Sequence, residues 1–126
     1  MLILTQYIAK HEFKPLNRFL GIENLLDGAR KVAKGLAVKI KSPDNAKEFQ
    51  FFKVRIGRKG SVRMIVFVTI KNQKIIPILI RLKKDKIFGT NMAMNNPVVV
   101  NQINKNLDRV LRDIQAKQYQ EFPHML

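Results

Sequence analysis

Between Phe52 and Lys84 the chain reads FKVRIGRKGSVRMIVFVTIKNQKIIPILIRLKK, and this stretch leaves few choices of fold. Phe52, Val54 and Ile56 alternate with Phe51, Lys53 and Arg55, the two-residue period of a strand. The turn Gly57-Arg58-Lys59-Gly60 has glycine at both ends, which suits a hairpin longer than two residues. Val62, Met64, Val66, Val68 and Ile70 then share one side of a second strand, with Ser61, Arg63, Ile65, Phe67 and Thr69 on the other. Lys71-Asn72-Gln73 makes a second polar turn, and Lys74 to Leu82 reads as a third strand. Pro77 stands in the middle of that strand and has no N–H to give a ladder, so it calls for an edge or a bulge. The pattern alone leaves that choice open.

The flanks read as helices with one further strand. Leu2 to Ala9 has the length and apolar content of a strand. Phe13, Leu16, Phe19 and Leu20 fall at helical spacing within His11 to Leu20, with Pro15 early enough for a first turn and Gly21 as the cap. A second helix is predicted from about Glu23 to Leu36, its stripe formed by Leu25, Leu26, Ala29, Val32 and Ala33. Two helices joined at a glycine predict a helical hairpin across one sheet face. Ser42-Pro43-Asp44-Asn45 marks a turn, and Phe88 to Asn96 reads as a loop. Asn96 as N-cap and Pro97 at the first position open a long helix striped by Val100, Ile103, Leu107, Val110, Leu111 and Ile114. After Gln115 the pattern fades, and 118–126 reads as a tail behind a single domain over 1–117. The expected fold is α+β: a small antiparallel sheet of about four strands, an N-terminal helical hairpin and a long C-terminal helix.

The charge narrows the function. The 126 residues carry 24 Lys and Arg against 9 Asp and Glu, a net charge of +15, whereas a small soluble domain usually carries about 2 to 8. Between Arg30 and Lys86 there are seventeen basic residues and three acids, Asp44, Glu48 and Asp85. Such an excess repels itself in a compact chain and calls for a polyanionic partner. Nucleic acid is the commonest; an acidic protein or an anionic membrane surface are alternatives, and a merely solvating charge coat is the plain one. With no Cys and only His11 and His124 as imidazoles, no metal site and no cofactor are expected. No signal-peptide pattern opens the chain and no run approaches the roughly 18 apolar residues of a spanning helix, so a soluble, cytoplasmic protein without a membrane is expected.

Lys53 and Arg55, two apart, share a strand face, and Arg63 projects from the same face if the first hairpin pairs as read. Arg58 and Lys59 extend the charge into the turn, and Lys83 and Lys84 carry it past the third strand. Singly, such residues solvate an exposed sheet and protect its edges. Together, they form a local electrostatic footprint.

The run Phe52-Lys53-Val54-Arg55-Ile56, the glycine-bearing turn, Val62-Arg63-Met64-Ile65-Val66-Phe67-Val68, and Ile75 to Leu82 closed by Lys83-Lys84 resemble the core of the RelE/ParE toxin superfamily. The likeness covers roughly Leu2 to Lys86, although only Phe52 to Lys84 carries a recognisable residue pattern. The resemblance implies a toxin of a type II toxin–antitoxin pair, neutralised by a small acidic antitoxin. Its RelE-like branch cleaves mRNA on the ribosome and inhibits translation; its ParE-like branch targets DNA gyrase. A non-enzymatic RNA- or DNA-binding module is the third reading.

On the RelE-like reading Lys53, Arg55, Arg63 and Lys84 are the catalytic set, and Arg58, Lys59, Arg81 and Lys83 bind RNA. Arg63 and Lys84 would hold the phosphate, while Lys53 or Arg55 serves the 2′-hydroxyl; a lysine takes a proton as a base only where neighbouring cations depress its pKa. The family's Tyr or His soon after the last strand has no counterpart in Lys86 to Pro97. Tyr119 and His124, in the tail, are the candidates for that acid–base role. The helix from Pro97 also exceeds the family's usual C-terminal segment.

Overall fold

The computed structural model describes residues 1–88 and 95–123. Leu2–Thr5 forms β1, and with Thr5 as N-cap the chain turns helical at once. It passes through α1 (Gln6–Ile8), a π turn over Ala9–Phe13 and a 3-10 turn over Lys14–Leu16. Then come α2 (Ile22–Ala33), β2 (Val38–Ile40), β3 (Gln50–Ile56), β4 (Val62–Val68) and β5 (Ile75–Leu82). α3 (Pro97–Gln115) and β6 (Tyr119–Phe122) follow.

Among the described residues the strands join one six-stranded sheet in the order β2-β3-β4-β5-β1-β6. β2 to β5 form an antiparallel meander, β1 lies parallel to β5, and β6 closes the far side of β1 antiparallel. The α+β class stands. The expected layout of about four antiparallel strands does not: the sheet is mixed and has six strands. The cause is the burial of β1. Its Leu2, Ile3, Leu4 and Thr5 are all buried, so it needs neighbours on both sides and cover on both faces. β5 supplies one side. The other is supplied by Tyr119–Phe122, which the fading helical pattern had left as a tail.

The N-terminal helical hairpin is likewise corrected. α2 covers the sheet face that carries Val54, Ile56 and Met64; a Cβ added at Gly28 would stand 2.6 Å from Met64 Cε and 2.8 Å from Ile56 Cγ2. The first helical segment goes elsewhere. It packs against α3 and β5, with the Tyr7 N–H donating to Asp113 Oδ2 at 2.7 Å and the Gln6 N–H to the Gln118 carbonyl at 3.0 Å. α3 lies on the opposite face from α2, where Leu111 and Ile114 meet Ile3, Phe67 and Ile76. The reason is that β4 and β5 are buried along nearly their whole length on both sides, so a single helical layer would leave half of that apolar surface in water.

Pro77 resolves as a bulge. β5 is an inner strand, and its register against β4 shifts so that Ile65 faces Leu79 while Val66 faces Pro77, leaving Ile78 as the extra residue. Helix ends are set by backbone geometry. α2 ends with Gly35 at φ 76°, its N–H bonded to the Val32 carbonyl and that of Leu36 to Lys31. α3 ends in the same way, with Lys117 at φ 57° taking the left-handed position. That turn sends the chain straight into β6.

Candidate functional site

The antiparallel meander puts three arginines in one row. Arg55 on β3 pairs directly with Arg63 on β4, and Arg63 pairs with Arg81 on β5. Directly opposed residues share a sheet face, so the three project from the same side, at strand spacings of about 4.8 Å. Lys53 is two residues from Arg55 on that face. Like charges placed opposite one another destabilise a sheet, and this row therefore needs counter-charge. Glu12 supplies part of it.

Glu12 is buried in the π turn, and its Oε1 accepts from the Ile80 N–H at 2.8 Å and from Arg81 Nε at 3.1 Å. Its Oε2 accepts from the second Arg81 nitrogen at 2.9 Å. The guanidinium is also stacked on Phe88, 4.3 Å from the ring centroid. Arg81 is thus held rigidly, and β5 gains a carboxylate partner beyond the short pairing with β1. Asp85 fixes the next turn, accepting from the Ile87 and Phe88 N–H groups at 2.9 and 3.0 Å. Those backbone bonds, Phe88 first, hold its carboxyl below the ordinary value of 3.8.

Lys53, Arg55 and Arg63 line one groove of about 510 Å³ together with Lys31, Leu36, Val38 and Val54. β2 pairs with β3 only as far as Lys53, so the outer edge of Val54–Ile56 is left to side chains. Lys31 occupies it, donating to the Arg55 carbonyl at 3.1 Å and pairing with Asp27 at 3.4 Å. Arg55 is exposed, Lys53 half-buried, and Arg63 only 8% exposed. The turn behind Arg55 uses Gly60 at φ 65°, a conformation that favours glycine, although a Cβ there would make only ordinary contact, 3.5 Å, with the Arg55 side chain.

A second depression, about 450 Å³, lies at the end of β5 and is lined by Phe19, Lys59, Ser61, Leu82, Lys83 and Lys84. The Lys83 N–H donates to the Ser61 carbonyl at 2.8 Å, which ties the end of β5 to the start of β4. Lys84 therefore stands with Lys59 and Lys83 here, and does not line the groove that holds Arg63. Arg58 is exposed in the intervening turn.

Tyr119 falls on β6, three strands from β4, in a hollow with Ile3, Phe49, Phe67 and Lys74. It is apart from the arginine row. His124 lies outside the described residues. His11 is exposed and its ring centroid is 4.4 Å from that of Tyr7. Among the described residues no cluster of His, Cys, Asp or Glu is disposed to hold a metal ion, and no helix is long and apolar enough to cross a membrane. Glu12, Lys31 and Phe19 join the site without any local signal in the sequence, since each reaches it across a long chain separation, and Phe88 joins it through the turn that follows β5. No family model, curated protein or solved structure matches the chain.

Proposed function

We propose that the basic end of the sheet binds RNA phosphates and that the chain is a RelE-like toxin, an endoribonuclease that inhibits translation by acting on mRNA at the ribosome. The observation that carries the reading is the in-register row Arg55–Arg63–Arg81 beside Lys53, with a groove opening onto Lys31, Lys53, Arg55 and Arg63. Fixed cations of this kind bind a phosphodiester and stabilise the charge that builds on it during transfer to the 2′-oxygen. In that step the 2′-oxygen bonds to phosphorus, the bond to the 5′-oxygen breaks, one proton leaves the 2′-hydroxyl and one reaches the 5′-oxygen. On this reading Lys53 or Arg55 serves the 2′-hydroxyl. The acidic antitoxin of this reading would lay apolar side chains on exposed Leu36 and Val38, and its carboxylates beside Lys31, Lys53 and Arg55.

One observation favours a second reading. Among the described residues lining the groove there is neither an imidazole nor a carboxylate, and Tyr119 stands elsewhere. Binding without turnover, by a ParE-like gyrase inhibitor or a non-enzymatic nucleic-acid-binding module, needs neither. Induced expression separates the readings. The RelE-like one predicts arrested growth with cleaved mRNA, both relieved by Lys53→Ala/Arg55→Ala. DNA damage and altered supercoiling with intact mRNA would point to gyrase. Growth and mRNA that stay normal with the wild-type chain would end the toxin reading.

A further inference from the structure

Among the described residues, Phe19 is the large aromatic that the fold leaves exposed. Its side chain is 47% exposed, whereas the adjacent Leu20 is 5% exposed and lies against Gly57, where an added Cβ would stand 3.2 Å away. The backbone beneath the ring is fixed: the Phe19 and Leu20 N–H groups both donate to the Leu16 carbonyl, at 2.9 and 3.0 Å. Exposure of a Phe on a fixed turn costs apolar burial, and its surroundings are cationic. Lys84 Nζ lies 5.8 Å from the ring centroid, within cation–π range, and Lys59, Ser61, Leu82 and Lys83 complete the depression. The depression borders the hairpin turn that leads back to Arg55.

An exposed aromatic with one ammonium over it and two further lysines in the same depression matches what single-stranded nucleic acid offers: a π face on a charged backbone. Bases stack on aromatic side chains, and the neighbouring cations track the backbone. We propose that Phe19 is a stacking platform for one nucleobase of single-stranded RNA, with Lys59, Lys83 and Lys84 holding the flanking phosphates. The inference rests on the RNA-binding reading and adds a base-recognising subsite to it. Because every base has a π face, this subsite orients the strand without choosing its sequence.

The test uses the whole chain, a short single-stranded RNA and an abasic ribose-phosphate oligomer of the same length, at one fixed salt concentration. Phe19→Ala is expected to weaken RNA binding by about 5- to 100-fold, the range for loss of one stacked base, and to leave binding of the abasic oligomer unchanged. Phe19→Trp should restore affinity. The chain has no other Trp, so its fluorescence reports the site alone and should be quenched by RNA but not by the abasic oligomer. Equal RNA affinity for wild type and Phe19→Ala, or equal quenching by both oligomers, would overturn the subsite while leaving the phosphate surface standing. Absence of RNA binding by the wild type would overturn both.

Discussion

Glu12 meets three donors with one buried carboxylate: the Ile80 N–H and two nitrogens of Arg81. Removing one partner of such a pair leaves the other short of counter-charge, and here it also orphans an inner backbone N–H. Glu12→Ala is therefore expected to cost about 3 kcal/mol of stability, read as a lower urea midpoint. Glu12→Gln, which keeps an acceptor for Ile80, should cost clearly less, and equal loss from both variants would contradict this. Asp85 is a milder case, on the surface. Its folded pKa is lowered by the Phe88 and Ile87 N–H groups, so its contribution is complete above its ordinary 3.8 and is lost as pH falls through the folded value. Amide resonances of Ile87 and Phe88 should accordingly titrate with a midpoint below 3.8; a midpoint at or above 3.8 would refute the assignment. At this scale the sequence was informative for part of the site. Lys53, Arg55 and Arg63 were legible because strand period and a short turn decide which residues share a face. Glu12 was not, because its partner lies 69 residues away and nothing local distinguishes it from a solvated helix acid.

Among the elements, α2 and α3 lie where the sequence pattern places them, whereas the first helical segment begins at Gln6, inside the stretch Leu2 to Ala9 that reads as a strand, and ends at Leu16 rather than Leu20. The period in Leu25, Leu26, Ala29 and Val32 identified α2, and Asn96-Pro97 identified the start of α3, its side chain capping the Val98 N–H at 3.0 Å. A short link between two helices favours a hairpin on sequence grounds. The Glu12 and Asp113 bonds instead hold the first segment beside β5 and α3. β6 carries no clear mark in the sequence, because its turn uses Lys117 with no glycine there, and because Tyr119–Phe122 is short and has no buried residue. Gly28 gives the packing of α2 a direct test. Gly28→Val would push methyl groups into Ile56 and Met64, and overpacking of this kind costs about 1–3 kcal/mol. Thermal unfolding should show the loss, whereas Gly21→Val, with nothing within 4 Å, should not match it. If the two variants melt alike, α2 does not seat on the sheet through Gly28.

Across the whole molecule, the net charge of +15 and the apolar content set opposite demands. The sheet answers the second by burying β4, β5 and β1 between helices on both faces, and it gathers many of its cations at the β3–β4 turn and the end of β5. That concentration was legible in the order of residues from Arg30 to Lys86; its division into a groove and a neighbouring depression was not, because it depends on strand order and on where Phe19 comes to rest. Phosphate contacts release counterions, so affinity for single-stranded RNA should fall linearly with salt on a logarithmic plot, by about 0.7 in slope per phosphate neutralised. The most direct measurement is that slope for the wild-type chain and for Lys53→Ala/Arg55→Ala, with folding checked by circular dichroism. The account predicts weaker binding and a slope shallower by about 1.4 for the double variant. An unchanged affinity and an unchanged slope would show that the arginine row does not hold the phosphates.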